Sequence, residues 1–228
     1  MIIEVKNLVK KYMRGKKGGR EIDVLNGINL AVSSGEFISI SGRSGSGKST
    51  LVNIIAGLTK PTSGSVFCDG KDIFGFSDEE MSNYRNMVIG CVPQGHSALS
   101  SLTVLDNVRL PYHFTQREGD SAQEAAELLK KFQIEALAES LPKTLSGGEL
   151  KRMAIARALI NKPGFLLADE PTGDIDSQTT QVVMEIFRKA ADDGMAVLMI
   201  THDLDTIGYA DKNFMMKDGE LSQYQEEK

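Results

Sequence analysis

The chain has 228 residues, 41% hydrophobic and 25% charged, with a net charge of -5 at neutral pH. That is enough chain for one large globular domain with room for an inserted lobe. The acid excess gives no general reason to bind nucleic acid or acidic lipid, and no apolar run approaches the length that crosses a bilayer.

The N-terminus meets Glu4 at once and does not read as a signal peptide. "IIEVKNL" from residue 2 and "IDVLNGINLAV" from residue 22 alternate as strands. The basic stretch between them, 10–20, reads as a solvated loop. "EFISIS", 36–41, is a buried strand that ends in a glycine run, and "STLVNIIAGL", 49–58, reads as the helix behind it. "GSVFCDG", 64–70, is a short strand between glycines. Ser77 with Glu80 and Ser121 with Glu124 have capping-box spacing and are expected to start helices. The second opens "AQEAAELLKKF", and a further helix follows Ser146 in "GGELKRMAIARALI". "FLLAD", 165–169, is an apolar strand, a helix spans about 179–191, and "AVLMI", 196–200, is the next strand. Strands alternating with helices predict a parallel α/β core. The helical stretch from about 103 to 160 interrupts the alternation and is expected to form a separate lobe. No low-complexity linker or internal repeat divides the chain. Cys68 and Cys91 each lie in a strand-like run, as small buried residues with free thiols.

Four short stretches carry chemistry. Gly42 to Ser49, "GRSGSGKS", is a glycine, four residues, then Gly-Lys-Ser, between a strand and a helix. Glycines let backbone N–H groups turn inward around an anion, and the following helix points its positive end there. Lys48 reaches the β- and γ-phosphates of a nucleoside triphosphate, and the Ser49 hydroxyl suits Mg²⁺. The expected nucleotide contacts are Gly42, Ser44, Gly45, Ser46, Gly47, Lys48, Ser49 and Thr50. "FLLADE" ends an apolar strand in two adjacent carboxylates, costly unless they meet a cation. Asp169 suits Mg²⁺ through water, and Glu170 suits a general base on an attacking water. "ITHD" ends another strand at Thr201, so His202 falls near the phosphates. Finally, "LSGGE", 145–149, is a capping box from Ser146 to Glu149 whose two glycines, Gly147 and Gly148, leave a second helix start bare for an anion. Two phosphate-binding helix starts in one chain make sense if each nucleotide is held between two chains.

That combination resembles the ATP-binding-cassette ATPases over nearly the whole chain. The resemblance implies a single domain, 1–228. Its parts would be a phosphate-loop NTPase core with a mainly parallel sheet (1–94 and 161–228), an antiparallel β subdomain and an inserted α-helical lobe at about 95–160. It implies ATP hydrolysis with ATP and Mg²⁺, Tyr12 stacking on adenine, and Gln94 with Glu170 and His202 in catalysis, Gln94 also on the metal with Ser49 and Asp169. It implies a head-to-tail homodimer in which Ser146, Gly147, Gly148 and Glu149 meet the partner's nucleotide, with Asp176 in the loop linking the two sites. The subgroup it looks like is that of lipoprotein release and macrolide export. The cues are the basic insertion, "LTVLDNVRLPYHF" and "DEPTGDID". Such ATPases pair with a separate membrane permease, which would place this chain peripherally on the cytoplasmic face and without nucleic acid. Pro93, Leu150, Lys151 and Asp174 depart from the family pattern, and none is expected to touch a predicted catalytic group. An alternative is an engine that pulls on a membrane protein controlling a cell-wall hydrolase and moves no substrate. A nucleic-acid ATPase of the same superfamily is disfavoured by the lack of a cysteine cluster or sustained heptads.

Overall fold

A computed structural model describes residues 1–14, 19–95, 97–115, 117–173 and 175–224. The strands are β1 (Ile2–Arg14), β2 (Arg20–Ser33), β3 (Phe37–Ser41), β4 (Ser63–Cys68), β5 (Lys71–Asp72), β6 (Ile89–Val92), β7 (Phe165–Asp169), β8 (Ala196–Thr201), β9 (Lys212–Lys217) and β10 (Glu220–Gln223). The helices are α1 (Lys48–Ile55), α2 (Asp78–Asn83), α3 (Val104–Arg109), α4 (Ser121–Lys131), α5 (Gly147–Leu159) and α6 (Ser177–Asp192). β2, β1, β4 and β5, in that order, form an antiparallel sheet. The other sheet runs β10-β9-β3-β8-β7-β6, parallel throughout except for β10 against β9.

The burial of the two sheets explains their sequences. Every residue of β3, β7 and β8 is buried, as expected of parallel strands covered on both faces. Their side chains still divide by face. Phe165 and Leu167 join a core with Ile38, Ile40, Leu51, Ile55 and the inner face of the antiparallel sheet. Leu166 and Ala168 point the other way, onto Val183 and Phe187 of α6 and onto Val108, Leu129 and Met153 of α3, α4 and α5. This two-residue period on β7 carries its last side chain, Asp169, to the sheet's C-terminal edge.

Two expectations are corrected. The basic stretch is not simply a loop: β1 continues to Arg14 and β2 begins at Arg20, so it extends a hairpin whose positions 15–18 lie outside the described residues. The cap of α4 is Asp120, whose carboxylate accepts from the N–H groups of Ala122 and Gln123. Glu124 instead meets Arg117 and Lys162. The box at Ser77 and Glu80 forms as predicted. Cys68 and Cys91 are half-buried free thiols, and burial pushes Cys91 up to about 11.

β6 and α5 approach closely at Gly90. A methyl group there would lie 2.4 Å from the Ala158 carbonyl oxygen and 2.8 Å from Pro163. Gly90→Ala should therefore destabilise the fold by about 1–3 kcal/mol. Gly75→Ala, where the added carbon meets nothing, should stay within about 0.5 kcal/mol. Denaturant midpoints of the two variants measure the difference.

Candidate nucleotide-binding and catalytic site

The glycine run leaves β3 at Ser41 and must turn without side chains. A Cβ at Gly42 would lie 2.3 Å from the Met216 carbonyl oxygen, and one at Gly47 2.6 Å from that of Val24. Gly45 and Gly47 also have φ of 81° and 108°, backbone that favours glycine. α1 starts with no side-chain cap on its first N–H groups, which leaves them available to an anion. Lys48 is buried, and its ammonium donates to the carbonyls of Gly42 at 2.7 Å and Arg43 at 3.1 Å. The turn between β9 and β10 braces the loop from beneath. The Gly219 N–H donates to the Ser46 carbonyl at 3.2 Å, and the Asn26 N–H to the Gly219 carbonyl at 2.8 Å.

Facing the loop is the end of β7. Asp169 is buried, and its Oδ1 has no hydrogen-bond partner among the described residues. Burial raises its carboxyl above the ordinary aspartate range. A bond from the Ser49 hydroxyl opposes this, adjacent Glu170 adds to it, and Lys48 and Lys151 lower it. A buried carboxylate with an orphan oxygen beside a hydroxyl is a fitting donor pair for a hard cation that also binds phosphate oxygens. No cluster of three or more His, Cys, Asp or Glu among the described residues forms a self-sufficient metal cage.

Glu170 leaves the strand with φ of 52°, in the left-handed region. Its N–H donates to the Ile200 carbonyl at 2.8 Å. Its Oε2 lies 2.6 Å from His202 Nδ1 and accepts the His202 backbone N–H at 3.3 Å. The two strand ends are thus joined side chain to side chain. The carbonyl of Glu170 accepts from the buried ammonium of Lys151 at 3.0 Å. The expectation that no departure touches a predicted catalytic group is therefore corrected. Lys151 lies 19 positions away in sequence, and α5 packs it there.

A cleft of about 620 Å³ brings Ser44, Gly45, Gly47, Lys48, Ser49 and Thr50 together with Gln94, Glu170 and His202. Gly42, Ser46 and Asp169 lie outside its lining, and Val24, which no motif marks, is part of it. Tyr12 is not in the lining; it sits exposed on β1 opposite Ile22, with the Lys10 ammonium 4.8 Å from its ring centre. The 146–149 group and Asp176 also lie outside the cleft. Ser146 caps α5 through the Glu149 N–H, and Glu149 Oε2 accepts from Ser146 N at 2.7 Å, which holds the Glu149 carboxyl below its usual range. Asp176 caps α6 through the Thr179 N–H, and Gly148 packs beside the Thr179 side chain. Asp174 lies outside the described residues.

A family model described as "ABC transporter" matches residues 25–173. The chain belongs to that family. It is an ATP-hydrolysing subunit of the ATP-binding-cassette type. It is similar to the ABC transporter ATP-binding protein MJ0796 of Methanocaldococcus jannaschii, 42% identical, with 96% of this chain and 95% of that one covered. It is 42% identical to the lipoprotein-releasing system ATP-binding protein LolD of Aquifex aeolicus, with 93% of each covered. It is 40% identical to the macrolide export ATP-binding/permease protein MacB of Campylobacter fetus, of which the match spans only 34%. A solved dimeric structure of MJ0796 bound to ADP and phosphate superposes with a TM-score of 0.90 at 38% identity, covering 98% of this chain and 99% of that one. No helix among the described residues is long and apolar enough to cross a membrane.

Lys48 supplies the one cation that the loop itself points into the cleft. Lys48→Ala should weaken ATP binding by about 10- to 100-fold, the loss of a charge-assisted contact. Turnover should become unmeasurable while the fold survives. Nucleotide titration followed by fluorescence, beside a thermal melt, reads both outcomes.

Proposed function

We propose that this chain powers export or extraction of a substrate through a separate membrane permease subunit, working as a head-to-tail homodimer on the cytoplasmic face of the membrane. The observation that carries the proposal is the separation of two anion-type helix starts. The start of α1 lines the cleft, while the glycine-bearing start of α5 does not. One chain has no use for the second start at its own nucleotide, and a second copy does. That MJ0796 is dimeric with ADP and phosphate bound supports a dimer here. Likeness to LolD and MacB supports the export or extraction role.

In this reading the phosphates lie on the N–H groups of 42–50 and on Lys48. Ser49, Asp169 and Gln94 would hold Mg²⁺, which supplies charge neutralisation on the phosphate oxygens. Glu170 takes the proton of the water that attacks the γ-phosphorus. His202 holds the carboxylate of Glu170 toward the cleft, and Tyr12 stacks on adenine. Ser146 and Gly148 of the partner copy close over the γ-phosphate, with Asp176 between the two sites. The helical lobe, about 95–160, adjoins Gln94 and passes closure to the permease, while the core 1–94 and 161–228 holds the nucleotide. ATP closes the dimer, and hydrolysis with phosphate release reopens it.

Glu170→Gln keeps size and removes the base. Hydrolysis should slow by ~10²–10⁴-fold, ATP should still bind, and an ATP-bound dimer should accumulate on size-exclusion chromatography. Adding Ser146→Arg should abolish that dimer without stopping ATP binding to the monomer. A double variant that dimerises normally would return Ser146 to the role of a helix cap. Tyr12→Ala should raise KM for ATP several-fold, a loss of about 1 kcal/mol, and leave kcat nearly unchanged. A collapse of kcat in steady-state assays would give Tyr12 a structural role instead.

A further inference from the structure

Lys151 is only 3% exposed, as deeply buried as Asp169. An ammonium is costly to bury unless acceptors and anions meet it. Here it donates to the Glu170 carbonyl at 3.0 Å, and its charge lowers the proton affinity of neighbouring Asp169. The residue it holds is an unusual one. Glu170 is not glycine, yet it has φ of 52°. Such backbone persists only where surrounding bonds over-determine it. Those bonds reach Glu170 from three places. β8 takes its N–H through the Ile200 carbonyl, Gly173 N donates to its carbonyl at 3.3 Å, and α5 reaches the same carbonyl through Lys151. Of the three, only the Lys151 bond comes from the helix whose first turn carries Ser146 and Gly148.

We propose that Lys151 is a positioning residue for hydrolysis. It clamps the main chain of Glu170 in the left-handed conformation that aims the carboxylate into the cleft, and it ties that geometry to the start of α5. The proposal rests on the reading of Glu170 as the general base. Any shift of α5 as its first turn engages a partner's nucleotide is delivered to the chain's own base through one side chain. Lys151 makes this link from within α5, without lining the cleft.

The test compares Lys151→Met with Lys151→Gln in the full chain. Both remove the charge, and only Gln keeps an N–H to offer the Glu170 carbonyl. Lys151→Met should lower kcat by about 10- to 100-fold, the cost of a small misplacement at the reacting centre. KM for ATP should change by less than about threefold, because the phosphate contacts are untouched. Lys151→Gln should recover kcat to within about fivefold of the parent through its retained donor. In the Glu170→Gln background, adding Lys151→Met should change the residual turnover by less than about twofold, because the group it positions is gone. Equal losses in Lys151→Met and Lys151→Gln, unchanged kcat in Lys151→Met, or a full loss repeated in the Glu170→Gln background would each overturn the proposal. If Lys151→Met does not fold, a folded Lys151→Gln as slow as Glu170→Gln overturns it, and one near the parent supports it. Parental turnover in Glu170→Gln itself would remove the base reading and the proposal together. A parental Lys151→Met beside an inactive Glu170→Gln removes the proposal alone.

Discussion

Two carboxylates set side by side at the buried end of one strand impose the main constraint on this molecule. Asp169 and Glu170 are both buried, and Asp169 Oδ1 has no hydrogen-bond partner among the described residues. Left in an apolar interior, the pair would take up protons or unfold the strand end. The protein instead surrounds it with cations and donors. Lys48 and Lys151 act on Asp169 from two elements, the Ser49 hydroxyl bonds it, and His202 meets Glu170. Of the two, Glu170 lines the cleft, while Asp169 lies behind it beside Ser49. In the proposed function, a triphosphate and its cation would meet this pair of acids.

The scaffold keeps that deficit in place by close backbone approach. The phosphate loop is pressed between the carbonyls of Val24 and Met216, and the β9–β10 turn bonds Ser46 from beneath. β2, β3 and β9 come from widely separated parts of the chain, so the loop's shape depends on the whole fold being assembled. Glu170 is fixed in the same manner, by β8 on its N–H and by α5 on its carbonyl. Rigid strands and the buried Lys151 therefore hold the main chain of Glu170, the preorganisation that the proposed role of Glu170 in hydrolysis would need.

The features that were readable from the residues are those that force an unusual local composition. A loop that admits no Cβ must be written in glycine, and an apolar strand that ends in two acids stands out against its own burial pattern. β3, β7 and β8 were legible for the same reason, since burial on both faces makes continuous apolar runs. The hairpin of β1 and β2 runs past the alternating stretch that ends at Leu8, because its register shifts at Val5/Leu8, Leu8/Val9 and Lys10/Lys11 break the two-residue alternation. The cap of α4 was displaced by one residue because Asp120 offers a carboxylate where Ser121 has only a hydroxyl. Val24 and Lys151 left no local signal. One reaches the cleft through its neighbourhood with Gly47, the other reaches Glu170 across a helix–strand packing contact. Contacts of that kind belong to the tertiary arrangement and have no period or spacing of their own.

If the orphan oxygen of Asp169 is what organises the cleft, the divalent cation should act on nucleotide affinity through that one carboxylate. The direct measurement is ATP affinity in Mg²⁺ and in excess EDTA, for the parent chain and for Asp169→Asn. The amide keeps the shape of the carboxylate and removes its charge. The account predicts that the parent binds ATP more tightly with Mg²⁺ than without, and that Asp169→Asn binds it equally in both. An Asp169→Asn chain that keeps the parental dependence on Mg²⁺ would contradict it.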